Sequence, residues 1–310
     1  MSLNVLFAHN EANWALYQAP LEKALQDCDV AANLSRDFAP EEVDYIVYAP
    51  SSPLKDFTPY TRAKAVLNLW AGVEGIANND TLKIPLTRMV DFGLTQGMVE
   101  WVTGQVLRHH LNIDFALAHQ DGSWTRHIPP LARNRPVTVL GLGALGQACA
   151  KAIAGLNFPV TGWSRSPKEV EGLTCLSGED GLRQALARAE ILVLLLPLTP
   201  ATQNVLNADS LARMPKGAHI INPGRGPLID DTALLAALDS GQIAHATLDV
   251  FRVEPLPVED PYWAHPNVTV TPHIAADTRV ETAAEVIAEN IRRGEANEPL
   301  LHLVDRTLGY

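Results

Sequence analysis

The stretch Val137-Thr138-Val139-Leu140-Gly141-Leu142-Gly143-Ala144-Leu145-Gly146 joins a short apolar run to a G-x-G-x-x-G pattern. The apolar run predicts a buried strand, and apolar residues at helical spacing after it predict an amphipathic helix. A strand, a glycine-rich turn and a helix in this order are typical of a dinucleotide-binding unit, because the helix N-terminus offers N–H groups to phosphates. We therefore predict that Gly141, Gly143, Ala144, Leu145 and Gly146 bind a nucleotide. A glycine-rich turn without a ligand is the alternative.

Further apolar runs on both sides of this unit alternate with helical patterns, which predicts parallel sheets covered on both faces. The predicted strands span 5–7, 45–48, 66–69, 137–140, 160–163, 191–195, 219–222, 246–249 and 268–271, and long helices are predicted over 95–119 and 280–293. A chain of 310 residues is long enough for two domains. We expect two doubly wound α/β domains: a continuous one over 99–277 and a discontinuous one over 1–98 plus 278–310.

Composition excludes several classes of partner and site. The net charge of −11 argues against a nucleic acid or an anionic membrane as partner. The apolar run at Ile191–Leu196 is too short to span a bilayer, and the N-terminal segment reads as a strand rather than a signal peptide. Cys28, Cys149 and Cys175 are scattered, so no disulfide framework and no metal site are expected. These features predict a cytoplasmic enzyme.

The strand after the glycine-rich unit decides between the two nicotinamide cofactors. It ends in Trp163-Ser164-Arg165-Ser166, and no acidic residue stands there to bond a ribose 2′-hydroxyl. A guanidinium and two hydroxyls suit a 2′-phosphate instead. We therefore predict that Trp163, Ser164, Arg165 and Ser166 contact NADPH, which is preferred over NADH. An ordinary solvated Arg165 is the alternative.

Three charged or titratable residues follow three later strands. Arg225 lies in Asn222-Pro223-Gly224-Arg225-Gly226, Glu254 follows the strand that ends near Asp249, and His273 follows the strand over 268–271. Taken singly, Glu254 and His273 read as ordinary surface or structural residues. Beside a nucleotide loop they form the set that a carbonyl reductase needs: an imidazole to protonate the carbonyl oxygen, a carboxylate to orient it, and a guanidinium to hold an acid group.

These motifs, in this order and over most of the chain, resemble those of the D-isomer-specific 2-hydroxyacid dehydrogenases. Within that family the chain is most similar to the NADPH-dependent glyoxylate/hydroxypyruvate reductases of the bacterial A type, on the segments 163–166, 254–257 and 304–310. The resemblance implies Rossmann-like or flavodoxin-like domains, one for substrate and one for the dinucleotide, with an interdomain cleft. It also implies a homodimer, in which Trp124 either reaches the partner's site or packs at the interface or surface.

The resemblance also implies residue roles. His273 would be the proton donor, Glu254 its partner, and Arg225 the anchor for the substrate carboxylate and carbonyl. Substrate would also contact Tyr48, Ala71, Gly72 and Val73, the last three in a loop whose N–H groups hold the carboxylate. The cofactor would also contact Leu196, Pro197, Thr202, Pro223, Gly224, Asp249 and Ala275. Ala275 and Ala276 depart from the family, since many members carry glycines there.

Three functions remain open on the sequence. The first is the NADPH-dependent reduction of small 2-oxo acids such as glyoxylate and hydroxypyruvate. The second is a 2-hydroxyacid dehydrogenase for a larger oxo acid, such as one resembling phenylpyruvate, because pocket size cannot be read from sequence. The third is a nicotinamide-sensing binding protein, which ranks last because the chain offers no interaction tail.

Overall fold

The computed structural model describes residues 2–309, which form two compact units. Unit 1 comprises the residues up to Leu94 and those from Asp277, and unit 2 runs from Thr95 to Ala276. The first division falls within the helix Phe92–Leu111, as does the boundary predicted after residue 98. Among residues 2–309, the helices are all too short or too polar to cross a membrane.

Unit 1 is built on a five-stranded parallel sheet. Its elements are β1 (Leu3–Ala8), α1 (Glu11–Asp27), β2 (Ala32–Ser35), β3 (Tyr45–Tyr48), β4 (Ala65–Asn68) and β5 (Leu86–Thr87), and the last helix of the chain, Val280–Glu295, packs on α1. The strand order is β2-β1-β3-β4-β5. β3 and β4 are buried along their whole length, as expected for central strands covered on both faces.

Unit 2 is built on a seven-stranded parallel sheet. Its elements are α2 (Phe92–Leu111), α3 (Ile113–Ala118), β6 (Val137–Leu140), α4 (Ala144–Gly155), β7 (Val160–Ser164), β8 (Thr174–Ser177), α5 (Gly178–Arg188), β9 (Ile191–Leu194), α6 (Ala208–Arg213), β10 (Ala218–Asn222), α7 (Asp231–Asp239), β11 (Ile243–Leu248) and β12 (Val268–Val270). The strand order is β12-β11-β10-β9-β6-β7-β8. The order reverses between β6 and β9, and open α/β sheets bind ligands at the carboxyl ends of strands at such a reversal. The helix Val280–Glu295, which follows β12 in the chain but belongs to unit 1, is α8.

The prediction of two parallel-sheet α/β domains is confirmed, with local differences. The single helix predicted over 95–119 is wrong, because the backbone turns left-handed at Asn112 (φ 55°) and separates α2 from α3. The strands β2, β5 and β8 were not predicted. β2 and β8 are part-exposed along most of their length and β5 has two residues, so none carries the apolar run that marks a central strand.

Candidate active site

The candidate catalytic residues of unit 2 follow three strands that are neighbours in the sheet. Arg225 follows β10, Glu254 lies in the segment after β11, and His273 follows β12, while the sheet order places β10, β11 and β12 side by side. Because parallel strands end at the same edge, the three segments emerge together. The structure therefore brings these residues to one edge of the sheet.

His273 and Glu254 form a direct pair. Nδ1 of His273 lies 2.7 Å from Oε2 of Glu254, and Oε1 of Glu254 accepts the N–H of Phe251 at 2.8 Å. A carboxylate can only accept from the ring, so Nδ1 carries a hydrogen in this pair. The His273 side chain is 50% exposed, so Nε2 can meet a ligand from solvent. The pair has the geometry of an oriented proton donor.

The turn that carries His273 is held by buried Asp249. His273 has φ 54°, a conformation that few residues other than glycine adopt, and its N–H bonds the carbonyl of Asp249 at 2.9 Å. The Asp249 carboxylate accepts from the Thr271 hydroxyl at 2.6 Å and from the N–H groups of Ile274 and Ala275, each at 2.9 Å. The contacts of Asp249 and Ala275 with a nicotinamide stay predictions.

The turn that carries Arg225 is held by Asn222, which is 1% exposed. Its side-chain amide donates to the carbonyl of Arg225 at 3.0 Å and accepts from the N–H of Gly224 at 3.1 Å. The guanidinium Nη1 of Arg225 bonds the carbonyl of Gly224 at 2.6 Å. A Cβ on Gly226 would overlap the main chain of Phe251, so this turn packs directly against the segment that leads to Glu254.

The glycines of the glycine-rich loop lie in different surroundings. A Cβ on Gly141 would overlap the carbonyl of Leu195, and one on Gly146 would overlap the carbonyl of Gly141. A Cβ on Gly143 would meet nothing within 4 Å, and Gly143 and Ala144 are exposed at the N-terminus of α4. The outer glycines thus serve packing, whereas the middle one leaves open space in front of the helix N-terminus. A phosphate fits that space.

The segment after β7 adds positive charge beside this loop. Arg165 and Ser166 are exposed, while the indole of Trp163 is buried and donates to the carbonyl of Gly178 at 2.9 Å. A cofactor contact at Trp163 would therefore come from its main chain. The Ser164 hydroxyl bonds the carbonyl of Ser166 at 2.8 Å.

Lys168 is a candidate that the sequence prediction left out. Its Nζ donates to the carbonyl of Leu142 in the glycine-rich loop at 2.7 Å. This places an ammonium group at the loop that is predicted to hold phosphates. Its position shortly after Arg165 was the available signal, but only the folded chain shows that it turns back to this loop.

The segment after β9 is organised by its own side chains. The Thr202 hydroxyl donates to the carbonyl of Pro197 at 2.7 Å and accepts from the N–H of Thr199 at 2.8 Å. Leu196 is buried in the hydrophobic core of unit 2, and Pro223 and Gly224 are buried at the end of β10. The cofactor contacts predicted for these residues stay predictions.

The loop after β4 in unit 1 is held by the side chain of Asn68. Asn68, fully buried, donates from Nδ2 to the carbonyls of Trp70 and Gly72 at 2.7 and 3.0 Å. In a trans peptide the N–H points opposite to the carbonyl. The N–H groups of Ala71 and Val73 therefore point away from Asn68. The sequence prediction named the loop but missed Asn68, which reads as the end of an ordinary strand.

Of two other predicted site residues, Tyr48 is buried and Trp124 is exposed. Tyr48 is 2% exposed and its ring lies 5.7 Å from that of Phe57, and burial raises the pKa of its hydroxyl. Its contact with substrate stays a prediction. Trp124 is 92% exposed in the irregular segment before β6.

Among residues 2–309, no group of three or more His, Cys, Asp or Glu side chains is placed to hold a metal ion.

The chain is similar to known proteins over its whole length. Residues 104–275 match the model of the D-isomer specific 2-hydroxyacid dehydrogenase, NAD binding domain. Glyoxylate/hydroxypyruvate reductase A of Serratia proteamaculans is 37% identical, over 99% of this chain and 100% of that protein. A D-isomer specific 2-hydroxyacid dehydrogenase of Xanthobacter autotrophicus, solved with NADPH and MES, has a TM-score of 0.90 and 42% identity, over 100% of this chain and 99% of that one. The NADPH-dependent glyoxylate/hydroxypyruvate reductase of Sinorhizobium meliloti, solved with NADP and sulfate, has a TM-score of 0.84 and 34% identity, with full coverage of both chains.

Proposed function

Because the chain belongs to the D-isomer-specific 2-hydroxyacid dehydrogenase family, we propose that it reduces glyoxylate and hydroxypyruvate to 2-hydroxy acids with NADPH. The single observation that carries the proposal is the 2.7 Å pair of His273 and Glu254 beside the Arg225 turn. That pair lies on the same sheet edge as the open glycine-rich loop. Unit 2 would bind the dinucleotide and unit 1 the substrate, with boundaries near residues 98 and 277.

The chemistry divides between the cofactor and three side chains. The glycine-rich loop would hold NADPH, which would supply a hydride for the carbonyl carbon of the oxo acid. As negative charge grows on the carbonyl oxygen, His273 donates the proton of Nε2 to it. Glu254 accepts from Nδ1, which holds the ring in position. The Glu254 carboxylate keeps its orientation because Oε1 is tied to the N–H of Phe251.

Arg225 would hold the substrate. A guanidinium can take a carboxylate through two parallel N–H bonds, and its positive charge also opposes the charge that develops on the carbonyl oxygen. Asn222 holds the backbone of this turn, so the main chain at Arg225 is fixed without substrate. In unit 1, the N–H groups of Ala71 and Val73, which point away from Asn68, would bind a carboxylate as well.

The residues present fit NADPH. The open space at Gly143 would accept a pyrophosphate, Lys168 reaches the loop, and Arg165 follows β7, the strand next to β6. The test of the whole proposal is NADPH oxidation followed with glyoxylate, hydroxypyruvate, pyruvate and phenylpyruvate, and repeated with NADH. We expect the first two substrates with NADPH to react fastest. Faster turnover of phenylpyruvate would show that the substrate is a larger oxo acid. Tight NADPH binding without turnover of any oxo acid would favour a nicotinamide-sensing binding protein.

We also propose a homodimer in the cytoplasm. Large apolar side chains of the segment from α3 to β6 are exposed: Ile113, Leu117, Trp124, Ile128 and Leu131. An exposed apolar set of this kind is typical of a protein–protein interface. Sedimentation velocity would test the assembly. The three cysteines are free, as expected in a reducing compartment.

Loss of the Arg165 charge is expected to weaken NADPH selectively. A hydrogen bond to a charged group contributes about 1.5–3 kcal/mol, so Arg165→Ala should raise the KM for NADPH about 10–100-fold. The KM for NADH should change little, since NADH lacks the 2′-phosphate. Lys151→Met, which removes an exposed cation from α4, is the matched control. Equal losses for both cofactors would contradict recognition of the 2′-phosphate.

Loss of the Asn68 amide is expected to weaken substrate binding. Asn68→Leu keeps the branched shape of the side chain but frees the carbonyl of Gly72 and leaves that of Trp70 with the N–H of Met89, so the N–H group of Val73 above all loses its fixed direction. We expect the KM for glyoxylate to rise about tenfold, which is roughly 1.4 kcal/mol, with an unchanged Kd for NADPH. Steady-state kinetics and fluorescence titration measure the two. An unchanged KM in a folded variant would show that this loop does not hold the carboxylate.

A further inference from the structure

The segment that carries Glu254 is fixed by polar contacts outside the predicted catalytic set. Arg252 lies two residues before Glu254, and its Nε donates to Oδ2 of Asp231 at 2.8 Å. Its Nη2 donates to the carbonyl of Ile229 and to the side-chain oxygen of Asn204. One side chain therefore ties the segment after β11 to the start of α7 and to the loop between β9 and α6.

A second contact closes the same arrangement. The hydroxyl of Tyr262 donates to Oδ1 of Asp231 at 3.0 Å, so one carboxylate holds both ends of the segment 252–262. Tyr262 is 5% exposed, and burial together with the nearby Asp231 charge raises the pKa of its hydroxyl. The hydroxyl therefore keeps its proton and acts as a donor. We call Asp231, Arg252 and Tyr262 the Asp231 bracket.

The segment 252–262 borders a cavity on one side. A cavity of about 220 Å³ lies beside it, lined in part by Val250, Phe251, Leu256 and Tyr262. Close-packed cores transmit position through contact, whereas a segment beside a cavity can shift into it. The polar ties of the Asp231 bracket therefore carry more of the positioning here than they would in a dense core.

The position of the segment matters because Glu254 meets His273 through a single oxygen at 2.7 Å. The other oxygen bonds the N–H of Phe251, the residue directly before Arg252. The main chain at Phe251 and Arg252 also packs against Gly226, which follows Arg225. A shift at Arg252 would therefore move both the partner of the proton donor and the support of the Arg225 turn.

We propose that the Asp231 bracket is a positioning device that sets the Glu254–His273 pair for proton transfer. The proposal rests on the proposed reductase function. Arg252 and its partner are partly exposed, with 33% and 40% of their side-chain surfaces accessible, which is typical of ion pairs that contribute little to stability. Their value lies in the geometry that they impose on the neighbouring site.

The test is a double-mutant cycle between Arg252 and Glu254. Arg252→Met in the wild-type chain should lower kcat at least about tenfold, since a displacement near 1 Å can cost that much or more. In a Glu254→Gln chain the same change should lower kcat less than about twofold, because the group through which it acts is already lost. Arg252→Lys, which keeps the charge toward Asp231, should recover part of kcat. Unchanged kcat in Arg252→Met, or equal losses in both backgrounds, would overturn the proposal.

Matched variants separate positioning from stability. Arg292→Met removes a similarly exposed arginine that bonds Glu289 and Glu298 in unit 1, and it should leave kcat unchanged. If Arg252→Met does not fold, Tyr262→Phe takes its place. This variant removes only the hydroxyl and should also lower kcat. An unchanged kcat in Tyr262→Phe would then overturn the bracket.

A readout independent of turnover distinguishes the two proposals. The Nδ1–H of His273 bonded to Glu254 should give an imidazole ¹H–¹⁵N signal that is absent in His273→Asn. Arg252→Met should shift or abolish this signal, and an unchanged signal would count against the bracket. If the wild type reduces no oxo acid, the proposed function fails, while this spectrum still decides on the bracket.

Discussion

His273→Asn is expected to lower kcat about 10²–10⁴-fold with glyoxylate, the range that a positioned proton donor contributes. Asparagine cannot donate a proton in the manner of an imidazolium, yet it tolerates the left-handed backbone that His273 adopts at φ 54°. The turn and its bonds to Asp249 should therefore survive the substitution. Steady-state kinetics with NADPH measures the loss, and fluorescence titration should give an unchanged Kd for NADPH.

The matched control for this variant is His265→Asn. His265 also faces a carboxylate, with Nε2 3.4 Å from Oδ1 of Asp239, but lies before β12 rather than after it. It should keep wild-type kcat. Partial recovery of His273→Asn by added imidazole would support proton donation. Near-normal turnover of His273→Asn would refute the assignment of His273.

Arg225→Met is expected to lower kcat/KM about 10³–10⁵-fold. This combines the roughly 10²–10³-fold cost of a lost donor to a developing oxyanion with the loss of a charged anchor for the carboxylate. Both KM and kcat should suffer, because the anchor acts in the ground state and the charge acts in the transition state. Methionine keeps the unbranched apolar stem of the side chain, and Asn222 should keep the shape of the turn.

Arg225→Lys separates charge from geometry. A lysine keeps the positive charge but lacks the planar fork that holds a carboxylate through two bonds. We expect it to recover part of kcat while KM stays high. Circular dichroism and the Kd for NADPH should match the wild type in both variants. An Arg225→Met enzyme with normal kcat/KM would exclude the guanidinium from the site.

Central strands were the part of the fold most readable from sequence. Fully buried strands such as β3 and β6 are continuous apolar runs, and the predicted bounds 45–48 and 137–140 agree with the structure. The edge strands β2, β5 and β8 are short or part-exposed and lack that pattern, so they were not predicted. The break between α2 and α3 depends on the backbone of one asparagine, which helical periodicity does not register.

In the candidate site as well, some residues could be predicted from the sequence and others could not. Residue types at strand ends pointed to Arg225, Glu254 and His273, because parallel strands deliver their carboxyl ends to one edge. The side chains that hold the loops of the candidate site were not predicted from the sequence. These side chains bond main-chain carbonyls or N–H groups, as Asn222, Asn68 and Lys168 do. A residue pattern does not predict which carbonyl a side chain will reach.

The sequence by itself determined the class of fold, the nucleotide loop and the order of the chemical groups, since these depend on periodicity, glycine spacing and local turns. Only the tertiary structure decided the pairing of Nδ1 of His273 with Glu254, the burial of Asp249 beneath the His273 turn, and the bracket that joins Arg252 to Asp231 and Tyr262. These contacts join residues up to 31 positions apart. Their geometry is set by how whole strands and helices pack, which local sequence does not encode.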